Sequence, residues 1–165
     1  MKKAILVALL AGGFIFQSTN AQVHVDVKFN IGSQPGWGPV GYDYVDYYYL
    51  PDIDAFYYVP RQQYIYMYRG HWRFTRSLPY QFRDYNFNTG YKVVVNEPRP
   101  YYHADMYRTK YASYKGHHDD NQEIIRNSHE SRYYESRGHP QHSEWRNNGN
   151  QGNNGKHGRG RNGHN

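Results

Sequence analysis

The chain has 165 residues, a formal net charge of +6 and no cysteine. Its length fits one domain once a leader is removed, and the lack of cysteine excludes disulfides, thiolate metal sites and cysteine nucleophiles. Tyrosine accounts for 20 residues, so the core is expected to contain many rings whose hydroxyls need partners. The positive charge suits contact with an acidic envelope polymer, and it equally suits plain solubility.

The N-terminus has the pattern of a secretory signal peptide. Two lysines precede a mostly apolar run over 4–16, which is too short to span a bilayer. A polar stretch then ends in Ala21, which predicts cleavage between Ala21 and Gln22. The mature chain, residues 22–165, is therefore expected to be periplasmic or extracellular, without a transmembrane segment. Removal of the two lysines lowers its net charge from +6 to +4.

Several short strands are predicted in the first part of the mature chain. Strict alternation of apolar and polar residues predicts a half-buried strand over 23–29. A Gly/Pro loop follows over 31–41, and a tyrosine-rich strand follows over 42–50. Pro51, with two aspartates close behind it, predicts a turn before a short aromatic strand over 55–59.

The clearest predicted element is a hairpin of 63–69 and 71–76, with Gly70 supplying a positive φ at the turn. Alternation places its three tyrosines on one face of the first strand and Ile65 and Met67 on the other.

The remaining elements are short. Residues 80–88 are predicted to be irregular, 91–95 to be a strand, and 103–114 to be a short helix with tyrosines at helical spacing. The fold class that follows is mainly β, a small antiparallel meander or open barrel of short aromatic strands with a short C-terminal helix. Long helices do not alternate with the strands, which excludes a doubly wound sheet.

Composition changes near Gly116. Of the 20 tyrosines, 18 lie between Tyr42 and Tyr114, and the chain beyond Gly116 is polar and rich in His, Asn, Gly and Arg. This predicts a signal peptide over 1–21, a Tyr-rich β domain over 22–115 and a disordered tail over 116–165. Basic residues at the end of the tail would tether the protein to anionic polymers by charge, or simply solubilise it.

The central part of the chain contains the run YYYLPDIDAFYYVPRQQYIYMYRGHWRF, followed by SLP and GYKVVVNEPRP. Over about residues 42–115 this pattern resembles small Tyr-rich exported proteins of Gram-negative bacteria. The resemblance implies export and a single small domain. It brings no activity, substrate or catalytic residue.

Aromatic residues beside arginines on the hairpin suggest a binding surface. Tyr and Trp rings stack on sugar rings, and Arg reaches phosphates or uronates. The predicted surface comprises Tyr64, Tyr66, Tyr68, Arg69, Trp72, Arg73 and Phe74. The alternative is that these rings fill the core of a chain that has few aliphatic residues. Anionic or neutral envelope glycan is the expected partner, and export argues against nucleic acid.

Histidines in the tail suggest a second kind of site. Neutral imidazoles bind Zn²⁺, Ni²⁺ or Cu²⁺, and the candidate ligands are His117, His118, His139 and His142. Their spacing matches no closed structural site, so a soluble linker is the alternative. No cofactor is predicted.

Aspartates supply the candidate carboxylates for an enzyme acting on glycan, namely Asp43, Asp46, Asp52, Asp54 and Asp84. Asp52 and Asp54 follow Pro51, where Asp ordinarily caps a turn, and they lack the third acid and glycine of a calcium loop. The sequence contains none of the common catalytic motifs. The expectation is therefore an exported, non-enzymatic structural or binding protein. The alternatives are an enzyme or enzyme accessory that acts on glycan through these aspartates, and a protein that binds metal through its His-rich tail.

Overall fold

The computed structural model describes residues 28–116 and 122–151. The signal peptide, its cleavage site at Ala21 and Gln22, and both His117 and His118 lie outside the described residues. Most of the predicted first strand also lies outside them, and Lys28 and Phe29 at its end are not in a strand.

The described residues form one open antiparallel sheet of five strands, which confirms the mainly β prediction. The strands are β1 (Tyr47–Leu50), β2 (Ala55–Tyr58), β3 (Gln63–Tyr68), β4 (His71–Thr75) and β5 (Val93–Val95). Their order across the sheet is β4-β3-β2-β1-β5. The first four strands are a meander, and β5 returns to the outer side of β1.

Tight turns of two kinds join the meander strands. After β1 and after β2, a proline begins or enters a single 3-10 turn that ends in a left-handed residue, Asp54 or Gln62. β3 and β4 are joined by Arg69 and Gly70, both with positive φ. Two positive φ values are typical of the hairpin turn whose twist matches the flanking strands.

One face of the sheet is covered by the predicted C-terminal helix, α1 (Ala104–Lys110). Tyr107 is 3% exposed and lies with its ring centroid 5.4 Å from that of Phe56. We call this side the α1 face; the strand residues on it include Tyr47, Tyr49, Phe56, Ile65, Trp72, Phe74, Val93 and Val95.

The opposite face is covered by loops instead of a helix. Trp37, from the Gly/Pro loop, packs against Tyr48 and Tyr57 with ring centroids 5.3 and 5.0 Å apart. Phe87 joins the same cluster. We call this side the arginine face; the strand residues on it include Tyr48, Leu50, Ala55, Tyr57, Tyr64, Tyr66, Tyr68, Arg73 and Val94.

The prediction of a disordered tail is wrong for residues 122–151. Ile125 and Tyr133 are fully buried and pack with Ile31 in a third small core. The Tyr133 hydroxyl accepts a hydrogen bond of 2.6 Å from the backbone N–H of Gly41. The tail has few apolar residues, but those few fill a gap that the Gly/Pro loop leaves open.

The tail ends in a helix, α2 (His142–Gln151), and the described residues before that helix contain short 3-10 turns. We call residues 122–139 the strap, because they run along the Gly/Pro loop. Backbone hydrogen bonds join them: Ile125 donates to the carbonyl of Gly38, and Arg126 donates to that of Gly36. In the part of the chain that the structure describes, no helix is long and apolar enough to cross a membrane.

Candidate functional site

The seven residues predicted for the binding surface are divided between the two faces and the hairpin turn. The β3 tyrosines and Arg73 lie on the arginine face, whereas Trp72 and Phe74 lie on the α1 face. Trp72 packs edge-on against Tyr101, with ring centroids 5.6 Å apart. Arg69 occupies the turn. The structure therefore does not bring all seven residues together.

The tyrosines of β3 are partly core and partly surface. Tyr64 is half-buried against Tyr57, with ring centroids 4.9 Å apart. Tyr66 is only 8% exposed, and Tyr68 is 40% exposed. The Arg69 guanidinium lies 5.2 Å from the centroid of the Tyr68 ring. The two interpretations of these tyrosines, as core rings and as a binding surface, thus apply to different parts of one strand.

An open hollow of about 420 Å³ lies on the arginine face near the hairpin turn. We call it the Tyr80 hollow; it is lined by Tyr66, Tyr68, Arg73, Pro79, Tyr80 and Gln81. Tyr80 is 76% exposed, and Arg73 is exposed beside it. The guanidinium of Arg83 lies 4.1 Å from the centroid of the Tyr80 ring. The hollow therefore combines exposed rings with cationic groups.

A short 3-10 turn, Tyr80–Phe82, positions the outer wall of this hollow. The N–H of Phe82 donates to the carbonyl of Pro79, and that of Arg83 donates to the carbonyl of Tyr80. Phe82 packs edge-on to Tyr66, with centroids 6.2 Å apart. This contact anchors the turn on the sheet and leaves the Tyr80 ring in solvent.

Among the described residues that line the hollow, the charged one is the cation Arg73. Residues 55–83 contain five arginines and no acidic residue. No acidic residue that the structure describes forms an ion pair with Arg61, Arg69, Arg73 or Arg76, and Arg83 pairs with the exposed Asp84 at 3.3 Å. Unpaired cations around an aromatic hollow attract anionic ligands.

Sequence patterns missed the outer wall of the hollow. Tyr80 falls in a stretch predicted only to be irregular, and strand periodicity gives no reason to place it over Tyr66. The available signal was the charge pattern, because an arginine-rich run without acids extends from the hairpin through Arg83. Because this run continues past the hairpin, it indicates that the hairpin and the following turn belong to one positively charged surface.

All five candidate carboxylates have a partner among the described residues, including Asp84, which pairs with Arg83. Asp54 accepts hydrogen bonds from the Tyr49 hydroxyl at 3.1 Å and from Arg108, with Nη2 at 2.6 Å. Asp46 accepts from Tyr44, and Asp43 pairs with an arginine of the strap. The predicted Asp52–Asp54 pair is divided, because Asp54 is held by α1 while Asp52 accepts from the N–H of Gly116.

Asp52 and Asp84 line a separate hollow of about 370 Å³ with Tyr85. Asp52 Oδ2 and the Tyr85 hydroxyl are buried without a hydrogen-bond partner among the described residues. Lys92 is buried nearby, and loss of solvation lowers its pKa to about 8, partly offset by the negative charge of Asp52. Burial raises the pKa of Tyr85, and Asp52 raises it further.

The rings of His139 and His142, the two described candidate ligands in the tail, are engaged in hydrogen bonds. His139 is buried; its Nδ1 accepts from the N–H of Gln141, so its Nε2 carries the proton and donates to the carbonyl of Ser128. His142 Nδ1 lies 3.1 Å from the carbonyl oxygen of Tyr134. Within residues 28–116 and 122–151, no three His, Cys, Asp or Glu side chains are grouped closely enough to hold a metal ion.

The site thus rests on three features: a ring that stands in solvent, a second ring beside it, and arginines without acidic partners. This arrangement can hold a ligand by stacking and charge, and the described residues that line the Tyr80 hollow include no acid and no Ser, Thr or Lys nucleophile. Comparison of the chain with protein-family models, with curated proteins and with solved structures gives no match in any of the three.

Proposed function

We propose that this chain is an exported, non-enzymatic protein that binds envelope glycan through the Tyr80 hollow. One observation carries the proposal: Tyr80 and Tyr68 are exposed next to Arg73 in a part of the chain without acids. A tyrosine ring offers a flat face for a sugar ring, and its phenol adds a hydrogen bond. A guanidinium beside it binds a carboxylate or phosphate in bidentate fashion.

Exposure of the rings supports binding over a purely structural role. When a ligand covers the ring of Tyr80, apolar surface is removed from water, and this stabilises the complex without a deep cavity. The hollow is open, so an extended polymer can lie across it. An envelope location follows from the predicted signal peptide, and N-terminal sequencing of the protein purified from its host is expected to begin at Gln22.

Co-sedimentation with an insoluble acidic polysaccharide tests the proposal on the mature chain, residues 22–165. Tyr80→Ala is expected to weaken binding by about tenfold or more, because stacking on one ring contributes this much. Tyr102→Ala is the matched control, since Tyr102 is 63% exposed on a different part of the surface and also has an arginine, Arg99, over its ring. Equal binding by both variants would refute the role of the hollow.

A second candidate, cleavage of the bound glycan, is favoured by one specific observation. Asp52 and Asp84 together line the separate hollow next to Tyr85, and Asp52 Oδ2 is buried there without a hydrogen-bond partner among the described residues. Two carboxylates that flank a glycosidic bond can act as acid and base. Release of reducing ends by the mature chain, lost in Asp52→Asn and in Asp84→Asn, would support this activity. Failure to release them over a panel of glycans that the chain binds would refute it.

A further inference from the structure

A second hollow, of about 340 Å³, lies on the arginine face next to the first. We call it the Arg61 hollow; it is lined by Tyr57, Arg61, Gln62, Tyr64 and Arg76. Tyr64 in this hollow and Tyr66 in the Tyr80 hollow are two residues apart on β3 and point to the same side. Strand geometry separates them by about 7 Å. The two hollows are therefore neighbours on one surface.

The described residues that line the Arg61 hollow include two cations and no counter-ion. Arg61 and Arg76 are both exposed, and neither is paired with an acidic residue that the structure describes. Two guanidiniums that line one hollow repel each other unless an anion lies between them. Each guanidinium has five N–H donors in a planar fork, which matches a carboxylate or a phosphate.

Tyrosine hydroxyls add neutral donors to this hollow. Elsewhere, the buried Tyr48 and Tyr107 donate to Gln34 Oε1 at 2.8 Å and to Glu97 Oε2 at 2.9 Å. Within the described residues, the hydroxyls of Tyr57 and Tyr64 have no such partner. Burial raises the pKa of Tyr57 to about 12 and also raises that of Tyr64, so both phenols keep their protons at neutral pH. Each can donate a hydrogen bond to an anion.

Gln62 is held in an unfavourable backbone conformation at the edge of the hollow. Its φ of 52° and ψ of 49° are left-handed, and its side chain is exposed. A left-handed conformation is unfavourable for a residue other than glycine. Such residues occur often at ligand-binding sites, where the backbone places a side chain that another conformation would direct elsewhere. The Gln62 amide adds a further donor to the lining.

We propose that the Arg61 hollow is an anion-binding subsite and that the ligand is a linear polysaccharide with repeated anionic groups, lying across both hollows. This inference rests on the proposed function, since the Tyr80 hollow supplies the stacking part of the same site. One anionic group of the polymer binds between Arg61 and Arg76, and a neighbouring sugar ring stacks on Tyr80. A nucleic acid has similar charge and flat rings, but the Arg61 hollow offers only buried or half-buried rings for a base to stack on.

Isothermal titration of the mature chain with oligomers of galacturonic acid, and with the same oligomers as methyl esters, tests the subsite. The esters keep the sugar rings and remove the charges. We expect the acid form to bind at least about tenfold more tightly than the ester. The double variant Arg61→Gln/Arg76→Gln is expected to lose that preference while it still binds the ester. Arg126→Gln/Arg137→Gln is the control, because it removes two exposed arginines from the strap.

The outcomes separate this inference from the proposed function. If Tyr80→Ala weakens binding of both oligomers but Arg61→Gln/Arg76→Gln behaves like the strap control, the Arg61 hollow is not a subsite and the proposed function stands. If Tyr80→Ala changes nothing, the proposed function fails. If a single-stranded DNA oligomer binds as tightly as the acidic sugar and is equally sensitive to both hollows, the polysaccharide assignment is overturned.

Discussion

Lys92 shows how a single buried charge lowers the stability of this fold. Lys92 is only 2% exposed, and loss of solvation lowers the pKa of its ammonium group from the ordinary 10.5 to about 8. Between these two values the unfolded chain holds the proton and the folded chain releases it, so stability rises with pH over this interval. Below about pH 8 the folded protein carries the full penalty of a buried ammonium group.

Replacing this lysine by methionine is therefore expected to stabilise the protein. Lys92→Met raises the free energy of unfolding at pH 7 by about 1 kcal/mol or more, because the apolar side chain fills the same space without a charge. The advantage should shrink as pH rises from 8 to 10.5. Urea denaturation at several pH values measures it, with the exposed Lys110→Met as control. A pH-independent difference would contradict the explanation.

Arg69 carries backbone strain in the hairpin turn. Its φ is 51°, and Gly70 follows with 77°. Asparagine adopts this conformation more readily than arginine and is the preferred first residue of such turns. Arg69→Asn is expected to raise the free energy of unfolding by about 0.5 kcal/mol, because the relief of backbone strain exceeds the loss of the weak contact between Arg69 and the Tyr68 ring. Thermal unfolding checks this, and a lower melting temperature would contradict it.

At the scale of elements, sequence patterns predicted the sheet well and the tail poorly. β3 and β4 alternate strictly around a glycine, so their bounds and faces follow from the chain itself. Tyrosines at helical spacing predicted α1, and the structure confirms a helix over Ala104–Lys110, with Tyr111 and Tyr114 beyond its end. The strap has no such periodicity. Its few apolar residues matter only because the distant Gly/Pro loop provides the other half of their core, and local patterns do not contain that information.

The strap is expected to contribute to global stability. Ile125 is fully buried, so Ile125→Ala should lower the free energy of unfolding by about 2–4 kcal/mol. The neighbouring Arg126 is exposed, and Arg126→Ala should change it by less than about 0.5 kcal/mol. Chemical denaturation of both variants tests the pair. Equal stabilities would restore the original prediction that the tail is a disordered appendage.

At the scale of the molecule, the tyrosine core resembles a stack of aromatic layers on both faces of a thin sheet. Its rings could be predicted from composition, but their hydroxyl partners could not. The Tyr48 hydroxyl reaches Gln34 and that of Tyr107 reaches Glu97, across separations of 14 and 10 residues. The Tyr80 hollow was missed for the same reason, because it depends on a turn folding back over β3.

The same core predicts a steep loss of stability in alkali. Burial raises the pKa of Tyr57 to about 12 and raises that of Tyr48, Tyr64 and Tyr85 as well. Above pH 10 the unfolded chain ionises its tyrosines while the folded chain keeps these protons, so stability falls as pH rises. Absorbance of tyrosinate should increase in two steps, with the second coincident with unfolding by circular dichroism. A single step near pH 10 without unfolding would contradict a buried tyrosine core.

Nuclear magnetic resonance of the mature chain during titration with a soluble galacturonic acid oligomer tests the central claim most directly, because it reports which face meets the ligand. We predict that backbone amide shifts concentrate at residues 61–69 and 73–83, around the two hollows of the arginine face. Shifts confined to residues 99–111 on the α1 side, or to the strap, would contradict the assignment. A spectrum that does not change at millimolar oligomer would contradict glycan binding itself.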